Sequence, residues 1–424
     1  MKEDLKQLIR TFHKTEFFYK SRFFLIPTNL KKIISIIGSR RVGKTYICYQ
    51  IISELILKEN VEKENILYIN FEDDRFDFKV ENLDLIIQAY GELYPKINFS
   101  KCYFFFDEIQ EVKDWEKFIR RIYDTYTKNI FITGSSSKLL SKEIATSLRG
   151  RSLSFEIYPL SFKEYLDFHN VKVDIYYQKS LFEIKNLFEK YMLGSYPEII
   201  DYNDEFRFKT YQEYLNVMIF KDIIERYNLK NREVLNIFIK KTISNISTEF
   251  SINKFHNELK SQGFKISKDL IYELPNYLED IYLVFFLEKY DSSVLNRSLS
   301  SKKVYVNDLG FSKIFKFNEN RGRLLENLVF IELKRRSKEI YYHKAKKECD
   351  FVIKKGLEII EAIQVATNMD DIDTRNREVV GLIDAMKTYN LKEGLILTED
   401  EEGVEQHLDK TIRIVPIWRW LLEE

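Results

Sequence analysis

The sequence predicts an α/β protein of several domains that begins with a parallel sheet, and three observations carry that expectation. Short β-prone runs alternate with amphipathic helical segments from Ile33 onward, the pattern of strands joined by crossover helices. A glycine-bounded turn links the first run directly to a helix. At 424 residues the chain exceeds one compact core, because domains usually hold ~100–200 residues. Apolar residues make up 45% and aromatics 15%, which excludes a disordered chain.

The first run and its turn occupy Ile33 to Gln50, IISIIGSRRVGKTYICYQ. Gly38, Ser39, Arg40, Arg41, Val42, Gly43, Lys44 and Thr45 spell G-x-x-x-x-G-K-[ST] in a strand-loop-helix setting. Glycines at 38 and 43 let the backbone wrap an anion, so that N–H groups and the helix N-terminus face the phosphates of ATP. Lys44 supplies charge to the β- and γ-phosphates, and the Thr45 hydroxyl is placed for Mg²⁺. In the following helix, Ile47, Ile51 and Leu55 share the face that packs on the sheet.

Ile66 to Phe71 reads as a strand and Leu83 to Ala89 as a covering helix. Cys102 to Gln110, CYFFFDEIQ, is an apolar strand that delivers Asp107 and Glu108 to its C-terminal edge, where open α/β sheets bind ligands. Asp107 fits the Walker B role of holding Mg²⁺, and Glu108 the base that activates water. After a helix from Trp115 to Tyr126, Asn129 to Ser137 reads as a strand ending in small hydroxyl residues. Thr133 and Ser135 can sense the γ-phosphate there, or a serine can cap a helix from Lys138 to Leu148. Arg149 and Arg151 then flank Gly150, either as arginine fingers for a neighbouring subunit or as a solvated turn.

The 67 basic and 66 acidic side chains nearly cancel, so a polyanionic partner must be argued from local patches. No run of ~18 apolar residues suggests a membrane span, and the N-terminal residues lack the apolar core of a signal peptide. Cys48, Cys102 and Cys349 are far apart, which points to buried reduced thiols in a cytoplasmic protein. His13, His169, His256, His343 and His407 show no metal-ligand spacing.

The ordered motifs GSRRVGKT, FFFDEIQ, ITGSSSKLLS, LRGR and YPLSFKEYL resemble archaeal and bacterial AAA-type ATPases whose C-terminal half is nuclease-like and of unknown function. The resemblance implies a P-loop NTPase core of the additional-strand class, with Lys44, Thr45, Asp107 and Glu108 in the roles above. It also implies a homo-oligomer in which Arg149 and Arg151 lie near a subunit boundary.

Four segments are expected: the ATPase core at 1–170, a helical lid at 171–228, a winged helix at 229–298 and a PD-(D/E)XK nuclease-like domain at 299–424. The winged-helix reading rests on three helices and a β-ribbon in a short span. Lys254, Lys260, Lys265 and Lys268 are basic, but Glu273, Glu279 and Asp280 lie on the third helix, which Pro275 should break or kink. In the last segment, a helix from Gly322, a three-strand meander, a helix and a strand follow the nuclease-like order. Glu326, Asp350 and Glu361 fit its three acids, which would gather Mg²⁺. The lysine is missing: two residues beyond Glu361 stands Ile363, and if Gln364 replaces the lysine the acid position is Ala362. The expectation is Mg²⁺-dependent ATP hydrolysis that moves appended domains acting on DNA. The alternative is a nucleotide-switched protein-interaction module with an inactive nuclease-like domain.

Overall fold

The structure, a computed structural model, describes residues 1–24, 26–135, 148–315 and 320–423. All but the last residue of the helix expected at Lys138–Leu148 lies outside the described residues, as do Ser136 and Ser137. The chain divides into two compact units, Met1–Ile157 and Tyr158–Glu424.

The first unit is a five-stranded sheet built from β1 (Ile33–Gly38), β2 (Ile66–Asn70), β3 (Tyr103–Asp107), β4 (Asn129–Gly134) and β5 (Ser152–Ile157). Every pairing is parallel and the order is β2-β3-β4-β1-β5. β1 and β4, buried by neighbours on both sides, are therefore continuous Ile- and Phe-rich runs with no polar alternation. Ile33, Ile37, Leu67, Ile69, Phe104 and Phe106 form a core with Leu5 and Ile9 of α1 (Lys2–Lys14). The same core takes in Ile86 and Tyr90 of α3 (Asp84–Leu93) and Phe118 and Ile122 of α4 (Trp115–Thr125). Side chains alternate along each strand, so Phe105 and Phe131 face the other way and stack with ring centroids 4.6 Å apart. Against β1 and β4 packs α2 (Lys44–Leu57).

The second unit opens with the helices Phe162–Phe168, Gln178–Tyr191 and Asp204–Val217, the last of which continues as a π-helical stretch, Met218–Glu225. The break expected at Gly194–Pro197 is present, followed by a single 3₁₀ turn. Helices Arg232–Ser244, Ile252–Ser261 and Lys268–Asp280 come next, together with β6 (Glu249–Phe250), β7 (Val284–Leu287) and β8 (Lys302–Val306). These strands pair antiparallel in the order β6-β8-β7. The expected boundary at 298/299 therefore cuts through a sheet, because β8 completes the ribbon that β7 begins. Pro275 does not end its helix either. Lys268–Asp280 runs through it, with Ile271, Leu274, Pro275 and Leu278 all buried, and apolar burial offsets the backbone bond that proline cannot donate.

The remainder follows the order expected from the sequence, then extends it. Helix Arg321–Arg335 leads into the antiparallel meander β9 (Glu339–Lys344), β10 (Glu348–Lys355) and β11 (Glu358–Val365). Helix Ile372–Thr388 crosses to β12 (Glu393–Thr398), parallel to β11. The hairpin of β13 (Gly403–His407) and β14 (Lys410–Pro416) adds two further strands, giving the order β13-β14-β12-β11-β10-β9. The described helices include none long and apolar enough to cross a membrane.

Candidate functional site

A wholly parallel sheet brings the C-terminal ends of its strands to one edge, and the phosphate-loop residues gather there. Gly38 closes β1 where it pairs with Ile157 of β5. A Cβ at Gly38 would lie 2.3 Å from the Ile157 carbonyl oxygen, so no larger residue fits. Gly43 adopts φ 98°, a left-handed value that suits glycine, and starts α2. Val42 and Ser39 are buried, whereas Arg41 is exposed. Arg40 donates to Glu72 at 2.9 Å and lies 3.9 Å from Glu111. The Lys44 ammonium is only 4% exposed and donates to the carbonyls of Gly38 (3.3 Å) and Ser39 (3.2 Å). It also pairs with Glu108 at 3.2 Å. The loop is braced from outside: Arg22 donates to the Val42 carbonyl at 3.1 Å, and its backbone is bonded twice by the Gln50 side chain.

Two strands over, across β4, Asp107 at the end of β3 is fully buried and receives three hydroxyl donors. Thr45 donates to its Oδ2 at 2.8 Å and Tyr68 to the same oxygen at 2.7 Å, while Thr133 donates to Oδ1. Burial, then the neighbouring Glu108 charge, raises the Asp107 carboxyl, and the three hydroxyls partly offset this. Glu108 behaves oppositely. Burial pushes its carboxyl up, but Lys44, Gln110 and Arg40 together outweigh burial and hold it below the ordinary value. Gln110 donates to Glu108 Oε2 at 2.5 Å, and the Glu108 N–H donates to Thr133 Oγ1 at 2.9 Å. Ser135 is buried at the end of β4, and its hydroxyl makes no hydrogen bond among the described residues. Thr45 and Asp107 offer hard oxygen ligands side by side, a donor set that fits Mg²⁺. Tyr68, Gln110, Arg22 and Gln50 were not singled out by sequence, since aromatic, amide and arginine residues carry no motif of their own.

The two arginines lie at the opposite edge. Ile33 donates its N–H to the Arg151 carbonyl at 2.8 Å, which fixes Arg151 at the start of β1 and β5. Six residues of strand at ~3.3 Å each separate that end from Gly38. Neither arginine reaches the loop of its own chain. Arg151 pairs with Asp124 at 3.2 Å, while Arg149 is exposed.

The acids expected in the C-terminal segment are only partly assembled. Glu326 and Asp350 converge, both buried. Glu361 does not join them: the pairing register sets it opposite Ile353, three positions along β10 from Asp350. Gln364 meets Asp350 instead, accepting its backbone N–H at 3.2 Å and donating to Glu378 at 2.6 Å. The centre of the pair is filled by Lys303, a residue that no local pattern marked. While that ammonium is in place, these residues do not fit a divalent ion.

The loop after β1, the acid-tipped strand β3 set across β4 from it and the strand order of the first unit are those of a P-loop nucleotide-binding domain. Residues 30–166 match the family described as AAA domain, and residues 184–319 match a domain of unknown function, DUF8612. An uncharacterized protein of Methanocaldococcus jannaschii is 38% identical over 418 residues, covering 94% of this chain and 89% of that protein. One from Haemophilus influenzae is 31% identical over 399 residues, covering 93% and 95%. The chain belongs to this archaeal and bacterial family, with an AAA domain in its N-terminal part.

Proposed function

We propose that the first unit binds ATP with Mg²⁺ and hydrolyses it. The observation that carries this reading is the meeting of Lys44, Thr45, Asp107, Glu108 and Thr133 at one sheet edge beside a glycine-bounded loop. Backbone N–H groups from Gly38 to Thr45 bind the phosphates, with Lys44 on the β- and γ-phosphates. Thr45 and Asp107 hold Mg²⁺, which when bound neutralises charge developing on the transferred phosphoryl group. Glu108 takes the proton of the attacking water. Lys44 ties these events together: phosphates that draw its ammonium away from Glu108 remove a charge that holds the carboxyl down, making Glu108 a stronger base as substrate arrives. Thr133 and Ser135 sense the γ-phosphate. Arg149, at the far edge, acts on a neighbouring subunit's nucleotide in a homo-oligomer.

Lys44→Ala is expected to lower ATP turnover by ~10²–10³, the loss typical of one charge-stabilising donor. Turnover at the wild-type rate in that variant refutes the assignment.

For the appended unit, the order helix, β6, helix, helix, β7, β8 supports the winged-helix reading. The third helix nonetheless argues for a protein partner over DNA. Its exposed residues include Lys268 but also Asp269 and Glu273, whereas a groove-binding helix meets phosphates with cations. We therefore favour the nucleotide-switched interaction module. Fluorescence anisotropy with single- and double-stranded DNA at low salt is expected to show no binding by the full chain, and salt-dependent binding would restore the DNA reading.

A further inference from the structure

Lys303 sits on β8 with its side chain 3% exposed, and its ammonium has three N–H groups to place. Its nitrogen is 2.8 Å from Glu348 Oε1, 2.9 Å from Asp350 Oδ1 and 3.1 Å from Glu326 Oε1. The ammonium donates hydrogen bonds to Glu326 and Asp350 and forms an ion pair with Glu348. The carboxylates are taken up as well: Tyr305 donates to Glu326 Oε1 at 2.7 Å, and the Val365 N–H donates to Asp350 Oδ2 at 3.0 Å. Three acids from a helix and a strand thereby surround one cation carried in by a different sheet.

We propose that the acidic cluster of Glu326, Glu348 and Asp350 is a cation site whose resident cation is the protein's own Lys303 ammonium, closing it to divalent metal ions. The proposal stands apart from the ATPase reading, since every group in it belongs to the second unit. A buried charge persists only when paired, and the Lys303 ammonium lies between Asp350 and Glu326, which are buried with it, and Glu348, whose side chain is 40% exposed at the rim. Metal-ligand distances are about 2.1 Å, so the three oxygens need contract by less than ~1 Å to hold a small divalent ion once the ammonium is gone. The lysine that the sequence pattern lacks on β11 is thus replaced in space by one that occupies the metal's position.

Mn²⁺ binding to the full chain without nucleotide tests this, counted by electron paramagnetic resonance in wild type, Lys303→Met, Asp350→Asn and Lys303→Met/Asp350→Asn. Wild type and Asp350→Asn are expected to bind equal numbers of Mn²⁺. Lys303→Met is expected to bind one more ion per chain and to melt higher when Mn²⁺ is added, and the double variant to lose both effects. A wild-type ion that Asp350→Asn removes overturns the proposal, as does folded Lys303→Met that gains none. Should Lys303→Met not fold, the comparison of wild type with Asp350→Asn decides alone: equal counts uphold the proposal and a lost ion overturns it.

Discussion

Thr133→Val removes one oxygen from the centre of the nucleotide site while keeping its volume, so it isolates the hydrogen bonds. The hydroxyl donates to Asp107 Oδ1 and accepts the Glu108 N–H at 2.9 Å, with both residues buried. A bond to a buried carboxylate contributes ~1.5–3 kcal/mol, and an orphaned buried N–H costs ~1–3 kcal/mol. Allowing for partial relaxation, the loss is about 3 kcal/mol. For domains of this size each kcal/mol lowers the melting temperature by ~2–4 °C, which places the first unit's transition ~6–12 °C lower. That transition is recognised in calorimetry as the one that Mg²⁺ and ATP raise. Asp107 also loses a donor that favours its ionised form, so its carboxyl rises further and turnover falls with stability. A shift below ~1 °C in the ATP-responsive transition would refute the network.

The Glu326 cluster and the turn at Gly38 give two further measurable effects. Burial, with Asp350 nearby, pushes the Glu326 carboxyl up to about 8 against an ordinary 4.5, with Lys303 and Tyr305 pulling the other way. A raised carboxyl gives stability that is complete below the unfolded value and lost as pH rises through the folded one. The urea midpoint of the second unit should therefore decline between pH 4.5 and 8, and Glu326→Gln should flatten that slope. Gly38→Ala places a methyl group 2.3 Å from the Ile157 carbonyl oxygen, forcing β1 and β5 apart at ~1–3 kcal/mol and weakening ATP binding, as thermal shift and nucleotide titration would measure.

The first unit was legible because its information is local. β1, β3 and β4 are short apolar runs ending on Gly38, Asp107 and Gly134, and a parallel sheet must bring such ends together. Tyr68 escaped notice because a tyrosine within an apolar strand reads as core until its hydroxyl is seen 2.7 Å from Asp107. Sequence was weaker in the second unit for the same reason. The boundary expected at 298/299 falls between β7 and β8, yet the ribbon closes across it, because pairing between strands is not encoded in composition. Pro275 is accommodated within its helix because burial of its neighbours outweighs one missing backbone bond. The hairpin of β13 and β14 carries little signal because the half-buried positions of β13 are Gly403, Glu405 and His407, with its valine exposed. Glu361 falls away from Asp350 because cross-strand register, shifted by the bulge near Ile353, is not written in the local sequence, and Lys303 lies too far from Asp350 in sequence for any motif to join them.

The most direct test of the nucleotide site is Glu108→Gln, which keeps the shape of the side chain and removes its basicity. Turnover of ATP measured beside equilibrium ATP binding is expected to fall ~10²–10⁴-fold while binding is retained, because Lys44, Thr45 and Asp107 are untouched. Hydrolysis at the wild-type rate in Glu108→Gln would contradict the account.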